Sequence, residues 1–413
     1  MTRAALLLLL IAACSSGSRR VGNQPSWRSN ASKQGPVTFA PTSEPAIRYN
    51  EPLRAPAPTP LGDAVLAAVK EAATASKVPV PAPDVRLFRA CAELARIMPE
   101  DGLLDYSVVE FALQRQGIIE PSPSLLVVWG AVDDTESIVE QLKAKLPESL
   151  KEGTMARVGI GTAKRTDDGM GAIVFALQAS GVATAPIPRS VAAGGSFTVD
   201  AVVDLRYRDT ELFVTHDDGK TERIPIDVNK QGAFKASVSC AKHNGKQQVE
   251  IAASDAAGST VLANFPVWCG MDPPLMITIE PTHDDNVVVS AEEAEKRLLA
   301  LMNRDRMAAG LPALLWDDRV AAVSRAHSED MRKTKIVAHI SPTTGSAADR
   351  TRAAGIKTAV VLENVARAYG VGEAHSGLMN SPGHRANVLS SAATHVGIGV
   401  VLGEEVSGRR EMF

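Results

Sequence analysis

Near its C-terminus the chain reads Ala338-His339-Ile340-Ser341-Pro342, then Leu362-Glu363-Asn364-Val365, then Ser381-Pro382-Gly383-His384-Arg385-Ala386-Asn387. Each stretch places a group that can bind a metal or move a proton at a turn or helix end between apolar segments, and these groups are His339, Glu363 and His384. Polar groups held in this way commonly line a pocket. We therefore expect the three side chains to meet in one cleft of the last domain.

The sequence around these stretches predicts a domain of several helices and one clear strand. Ser290 and Glu293 have the spacing of a capping box, so a helix is expected to begin there, and the apolar residues that follow recur at helical spacing. The other predicted elements are helices over about 317–333, 347–354 and 372–379 and a strand over 396–401. Of the other histidines, His327 is predicted to be a core residue and His375 a solvated one.

Residues from about 185 to 270 have a different pattern, with short alternating strands separated by turn signals. This spacing predicts a β-sandwich of the immunoglobulin-like type. Cys240 and Cys269 lie in this segment, and an oxidising compartment permits a disulfide between them. His216 and His243 fall in its turns and are expected to be solvated loop residues.

The region 61–182 predicts an α/β domain that ends in a β-hairpin. Its Val158-Gly159-Ile160-Gly161 recurs as Val396-Gly397-Ile398-Gly399, which indicates either an internal duplication or a chance match. No histidine occurs between Gly62 and Gln178. If this region is a second copy of the last domain, it has kept the fold of that domain and lost its site residues. Cys91, in an apolar helical run, is predicted to be a buried free thiol.

The N-terminus predicts export. Arg3 precedes an apolar run over 4–13, which is long enough for a signal peptide and too short to span a bilayer. The run ends in Leu10-Ile11-Ala12-Ala13-Cys14, which resembles the lipobox of bacterial lipoproteins. This resemblance implies a lipid on Cys14, and Ser15 after it favours the outer membrane. An ordinary cleaved signal with an incidental cysteine is the alternative.

Length and charge set further bounds. With 413 residues the chain should divide into two or three domains, and its net charge of −3 argues against a nucleic-acid partner. The predicted boundaries are 1–14 for the signal peptide, 15–60 for a disordered tether, 61–182 for the α/β domain, 185–270 for the sandwich, 271–289 for a linker and 290–413 for the last domain.

The last domain resembles the CAP superfamily, also called the SCP domain, in its bacterial branch. The similarity is carried by Leu301-Met302-Asn303-Arg304 with the Gly310-Leu311-Pro312 and Trp316-Asp317 that follow, by His339-x-Ser341-Pro342, by Glu363-Asn364-Val365-Ala366 and by Ser381-Pro382-Gly383-His384-Arg385. It implies a three-layer α-β-α sandwich. In eukaryotic members two histidines and two glutamates line a cavity that can hold a divalent metal.

The resemblance assigns site residues one by one. His339 resembles the first histidine and Glu363 the first glutamate, while the place of the second glutamate falls near Ser381. The strand motif of the second histidine is absent, and His384 is present instead. The resulting ligand-binding candidates are His339, Glu363, Asn364, Ser381, His384, Arg385 and Asn387, and the candidate zinc ligands are His339, Glu363 and His384.

Three functions remain open at this stage. The first is a lipid-anchored envelope protein whose last domain binds a lipid, an envelope polymer or another protein. The second is a hydrolase acting on peptide or cell-wall material, either through zinc or with Glu363 orienting a histidine as general base. The third is a structural adhesion module.

Overall fold

The computed structural model describes residues 6–10, 19–20, 37–52, 57, 59–98, 104–121, 123–151, 155–165, 169–279, 290–406 and 409–413. The prediction for Cys14 lies outside these residues. Within them the protein is a multidomain α/β chain with three regions.

The N-terminal region contains four short strands and then an α-β-α unit. Its elements are β1 (Leu6–Leu10), β2 (Arg19–Arg20), β3 (Val37–Phe39), β4 (Arg48–Tyr49), α1 (Pro60–Ala75), β5 (Ala82–Pro83), α2 (Val85–Ile97), α3 (Tyr106–Arg115), β6 (Ser124–Ala131), α4 (Thr135–Lys143), α5 (Leu146–Lys151), β7 (Met155–Lys164) and β8 (Met170–Ala179). The sheet order is β2-β6-β8-β7-β5. One apolar core lies between the sheet and α2 with α3, and a second core lies between its other face and α1, α4 and α5.

Two glycines let α2 lie directly on β7. A Cβ atom at Gly161 would come within 2.0 Å of the Ala92 backbone nitrogen, and one at Gly159 within 2.5 Å of the Leu87 Cβ. Cys91 on α2 is a buried free thiol, as predicted, and its burial raises the pKa of the thiol.

The structure differs from the predicted tether over residues 37–52. Phe39 belongs to the core beneath α2 and α3. Tyr49 has no exposed surface, and its hydroxyl donates a hydrogen bond of 2.6 Å to the carbonyl of Pro266. A buried aromatic ring with a partner for its hydroxyl stabilises an ordered segment, and a scan for apolar periodicity does not detect such an isolated anchor.

The middle region consists almost entirely of strands. They are β9 (Val182–Thr184), β10 (Ile187–Pro188), β11 (Ser190–Val191), β12 (Ser196–Val203), β13 (Arg208–Thr215), β14 (Thr221–Ile224), β15 (Ala233–Ser239), β16 (Gly245–Asp255), β17 (Gly258–Cys269) and β18 (Ile277–Ile279). A five-stranded sheet, β11-β17-β16-β13-β14, and a three-stranded sheet, β15-β12-β9, share one apolar core. We call these two sheets the sandwich.

Cysteine and histidine predictions for the sandwich had different outcomes. The disulfide between Cys240 and Cys269 is present, with 5.6 Å between the Cα atoms, and this confirms the bridge. The prediction of separate, solvated His216 and His243 is wrong. Their rings stack with centroids 3.9 Å apart, and Nδ1 of His243 lies 2.9 Å from Asp217 Oδ1. The hairpin turns bring the two rings together although 27 positions separate them in sequence.

The C-terminal region alternates helices and strands. Its elements are α6 (Ala291–Ala308), β19 (Leu315–Trp316), α7 (Asp318–Thr334), α8 (Ala347–Ala353), β20 (Val361–Asn364), α9 (Val371–Asn380), α10 (Pro382–Val388), β21 (His395–Gly399), β22 (Leu402–Val406) and β23 (Arg409–Met412). As predicted, Ser290 caps α6 by accepting a hydrogen bond from the Glu293 amide. His327 is buried as predicted, whereas the prediction for His375 is wrong because it is 8% exposed and pairs with Asp305.

The sheet of this region has the order β19-β21-β1-β20, and β1 runs parallel to both neighbours. Leu6–Leu10 thus lies between β21 and β20, as β8 lies between β6 and β7, although β8 runs antiparallel to both of its neighbours. The interpretation of the apolar run as an export leader stays a prediction. Among the residues that the structure describes, no helix combines the length and the apolar character needed to cross a bilayer.

Candidate functional site

A cleft of about 570 Å³ lies between the sandwich and the C-terminal region. Its sandwich wall includes Arg208, Glu211, Phe213, Glu250, Ala252 and Ser254. Its other wall includes His339, Ile340, Glu363, Ser381, His384 and Asn387. The predicted meeting of His339, Glu363 and His384 along one cleft is therefore what the structure shows. The sandwich forms one of the two walls of that cleft.

His339 is held by the chain on both sides of it. The buried ring of His327 on α7 lies 2.9 Å from the carbonyl oxygen of Ala338, through Nε2. The amide of Ile340 donates a 2.9 Å hydrogen bond to the carbonyl of Ala257, in the turn between β16 and β17 of the sandwich. The loop that carries His339 is thus fixed by its own domain and by its neighbour.

Glu363, on β20, joins His339 to a buried guanidinium. Nδ1 of His339 lies 2.7 Å from Glu363 Oε2, and Nη2 of Arg350 donates to Glu363 Oε1. The Arg350 and Glu363 side chains are 5% and 6% exposed, so this ion pair is screened from water. Nη1 of Arg350 also donates to the carbonyl of His339, at 3.3 Å. Sequence analysis missed Arg350, which lies on α8 with no motif around it.

Asparagine amides fasten β20 to α10. The Asn364 amide donates to the carbonyl of His384 at 3.0 Å, and the Asn387 amide donates to the carbonyl of Glu363 at 3.1 Å. Asn364 has no exposed surface and does not line the cleft. Arg385 does not line it either, because its Nε donates to the carbonyl of Gly219 in the sandwich at 3.0 Å. Asn364 and Arg385 therefore hold elements next to the cleft in place without lining it.

His384 is linked to a carboxylate from the sandwich. Its Nδ1 lies 2.8 Å from Ser381 Oγ, and the Ser381 hydroxyl is bonded to Glu250 Oε2. The amide of Gly383 donates to Glu250 Oε1 at 2.8 Å. Burial, and then the nearby His339, lower the pKa of His384 to about 3. Burial raises the pKa of Glu250 to about 7.

Glu250 is the residue that sequence analysis missed with the largest consequence for the site. It alternates on β16 with Val249 and Ile251, which face the sandwich core, so the pattern predicts an exposed outer position. Instead it is 1% exposed because α10 covers it. Its carboxylate reaches Ser381, where the family resemblance expects the second glutamate. The contact between Glu250 and Ser381 exists only because the sandwich packs against the last domain.

The described residues do not fit a metal ion. Both carboxylate oxygens of Glu363 are engaged, one by Arg350 and one by His339, and the guanidinium adds a positive charge where a cation would bind. Nδ1 of His384 is engaged by Ser381, so this ring could offer a metal only its Nε2. In the part of the chain that the structure describes, no group of three or more His, Cys, Asp or Glu side chains is arranged to hold a metal. The predicted zinc set of His339, Glu363 and His384 is therefore not supported.

A family model matches the same part of the chain that carries His339, Glu363 and His384. The model of the CAP family, the cysteine-rich secretory protein family, matches residues 299–409. This part of the chain is a bacterial CAP domain. The CAP domain thus contributes His339, Glu363, Ser381 and His384 to the cleft.

Two relatives come from Bacillus subtilis (strain 168), and both are described as uncharacterized. The membrane protein YlbC is 40% identical over 108 residues, which are 26% of this chain and 31% of YlbC. The protein YkwD is 36% identical over 126 residues, which are 30% of this chain and 49% of YkwD. The chain therefore matches less than half the length of each of these relatives.

Two solved structures also resemble this chain. An extracellular SCP-domain protein from Bacillus anthracis str. Ames is 20% identical with a TM-score of 0.25, and the match covers 57% of this chain and 85% of that one. A cysteine-rich secretory protein from Staphylococcus aureus subsp. aureus Mu50 is 11% identical with a TM-score of 0.21, and the match covers 56% of this chain and 85% of that one.

Proposed function

We propose that this chain is an exported envelope protein whose CAP domain binds a ligand in the cleft against the sandwich. The observation that carries the proposal is that His339, Glu363, Ser381, His384 and Asn387 line one cavity of about 570 Å³. A cavity of this size can hold a segment of an extended ligand. Several of its polar side chains are fixed by hydrogen bonds, so the site is formed before a ligand arrives.

The lining favours a peptide as the ligand class. Arg208 and Glu211 give the sandwich wall charges of both signs, and Phe213, Ile340 and Leu362 add apolar surface. A peptide offers backbone donors and acceptors together with charged and apolar side chains. A lipid tail would need a uniformly apolar lining. The peptide can belong to a protein or to a cell-wall polymer.

Export is supported by sequence chemistry and by the disulfide. The apolar run before Cys14 has the length of a signal-peptide core. The Cys240–Cys269 bridge suits an oxidising compartment. A lipid on Cys14 would attach the protein to a membrane surface, with the outer membrane favoured. Among the relatives, YlbC is named a membrane protein, and the Bacillus anthracis protein is named extracellular.

The hydrolase and adhesion hypotheses have less support. A zinc hydrolase needs an open metal site, and Glu363 is bonded to Arg350 and His339 instead. An adhesion module does not require fixed imidazoles along a cleft. A metal-free hydrolase would need a general base beside the bond that it cleaves.

The N-terminal α/β domain fits a copy of the CAP domain that has lost its site. In both, a helix lies on a strand through two glycines, Gly159 and Gly161 on β7 and Gly397 and Gly399 on β21. A Cβ atom at Gly399 would come within 2.1 Å of the Arg325 nitrogen, much as one at Gly161 would meet Ala92. Because the N-terminal unit has no histidine, we expect it to serve architecture rather than binding.

Binding can be tested with fluorescent peptides. In fluorescence polarisation with a labelled hexapeptide library, we expect the His339→Ala variant to bind at least about tenfold more weakly than the unmodified chain, a loss of about 1.4 kcal/mol. The reason is that His339 presents its ring to the cleft and is fixed there by Glu363.

The matched control is His395→Ala, because His395 does not line the cleft and its Nδ1 lies 2.9 Å from its neighbour Thr394. Labelled palmitate and a labelled cell-wall glycan serve as competing probes. If palmitate or the glycan binds while no peptide does, and His339→Ala weakens that binding, the ligand is a lipid or a glycan rather than a peptide. If the His339→Ala and His395→Ala variants bind peptide with equal affinity, the cleft is not the binding site.

A further inference from the structure

Glu250 is a carboxylate buried on the outer face of the sandwich. Its side chain points away from the sandwich core and into the contact with α10, where it is 1% exposed. It accepts from the Gly383 amide through Oε1 and meets the Ser381 hydroxyl through Oε2. Ser381 in turn meets Nδ1 of His384. Three side chains from two domains therefore form a continuous hydrogen-bonded chain.

The direction of the hydrogen bonds follows from proton counting. An ionised carboxylate can only accept, so the single Ser381 hydroxyl proton is donated to Glu250. Ser381 Oγ must then accept from His384, and Nδ1 of His384 carries the ring proton. His384 is neutral at ordinary pH, because burial and then His339 lower its pKa to about 3. Its Nε2 therefore holds a lone pair, and among the described residues it has no hydrogen-bond partner.

We propose that Glu250, Ser381 and His384 form a proton relay, built jointly by the sandwich and the CAP domain, through which His384 takes a proton from a molecule in the cleft. A water or a ligand hydroxyl gives its proton to His384 Nε2. The Nδ1 proton passes to Ser381 Oγ, and the Ser381 proton passes to Glu250 Oε2. Only these N–H and O–H bonds break and form. The imidazole ends neutral, Glu250 ends protonated, and the negative charge moves from its carboxylate to the oxygen in the cleft that gave up the proton.

The relay lets His384 act as a base although it resists protonation itself. A proton that stayed on the ring would meet the desolvation that lowers the pKa of His384. A proton passed to Glu250 neutralises a carboxylate whose pKa burial raises to about 7, near the pH at which a base is most useful. The titratable groups around Glu250 are Glu211 on β13, whose charge adds to the rise, and His384 on α10, while Asn264 on β17 is uncharged.

The test is the tautomer of His384, read from imidazole ¹⁵N shifts in the full chain and assigned with a His384→Gln variant. At about pH 8 the proton should be on Nδ1. As the pH falls through the pKa of Glu250, protonated Glu250 donates to Ser381, Ser381 donates to Nδ1, and the ring proton should move to Nε2 without the ring becoming charged. This series needs no variant that could fail to fold.

Glu250→Gln gives the second arm. Its amide oxygen should accept from Gly383 and its NH₂ should donate to Ser381, so His384 should hold the Nε2–H tautomer at every pH. The matched control is Glu211→Gln, a carboxylate of the same cleft outside the relay, which should keep the switch and lower its midpoint. An Nε2–H tautomer in the unmodified chain at about pH 8, or a Glu250→Gln variant that behaves like the unmodified chain, overturns the relay.

This inference concerns the same cleft as the proposed ligand binding, but its readout needs no ligand. The tautomer can switch while no peptide binds, and a peptide can bind while the tautomer stays fixed. The two proposals therefore fail separately.

Discussion

Replacing Glu363 with alanine is expected to lower the free energy of unfolding of the CAP domain by about 3–5 kcal/mol, because it leaves the Arg350 guanidinium buried without its counter-charge. Arg350 is 5% exposed, and without Glu363 its remaining partners among the described residues are carbonyl oxygens, those of His339 and Gly345. Carbonyl oxygens accept hydrogen bonds but do not neutralise the cation. The measurement is hydrogen exchange of the α7 amides, Asp318–Thr334, which reports on this domain separately from the others.

The matched control removes a glutamate from an exposed ion pair of the same domain. Glu404 is 80% exposed and lies 3.5 Å from Lys335 Nζ. Water screens this pair, so Glu404→Ala should change the free energy of unfolding by less than about 0.5 kcal/mol. If both variants open α7 equally easily, Arg350 is not held by its charge partner and does not keep a metal away from Glu363.

The sequence predicted the local parts of the site because each rests on a short pattern. The helix start at Ser290 depends on a cap three residues from its partner, and the structure has that hydrogen bond. The motifs around His339, Glu363 and His384 placed these side chains at element ends that line one cleft. The disulfide followed from two cysteines in one strand-rich segment.

The sequence could not predict contacts between domains. Nothing around Glu250 distinguishes it from an ordinary outward-facing strand residue, and in the structure α10 of the CAP domain packs against it. The stacking of His216 on His243 depends in the same way on how two hairpin turns meet. Arg350 was missed because the partners of its guanidinium, including Glu363, come from segments other than its own helix. In each case the stabilising contact is made with another segment of the chain. Local sequence patterns do not encode such contacts.

A second large effect is expected from single methyl groups at the glycines of β7 and β21. Gly161→Ala would place a Cβ atom within 2.0 Å of the Ala92 nitrogen, and Gly399→Ala within 2.1 Å of the Arg325 nitrogen. Both obstacles are helix backbone, which cannot rotate away as a side chain can. Each variant should therefore lose stability at or above the upper end of the usual 1–3 kcal/mol range for overpacking, that is about 3 kcal/mol. Region-resolved hydrogen exchange should show the loss in 60–179 for Gly161→Ala and in 290–413 for Gly399→Ala.

Gly130→Ala is the control, because a Cβ atom at this strand glycine would meet nothing within 4 Å. It should leave stability almost unchanged. These variants also test the internal duplication. Two unrelated domains have no reason to share a helix that packs on two strand glycines one residue apart. Equal sensitivity at Gly161 and Gly399, each confined to its own unit, is the outcome expected of one architecture used twice. A tolerated alanine at either glycine would mean that the helix can slide on its strand, and the repeated Val-Gly-Ile-Gly would then be a coincidence of sequence.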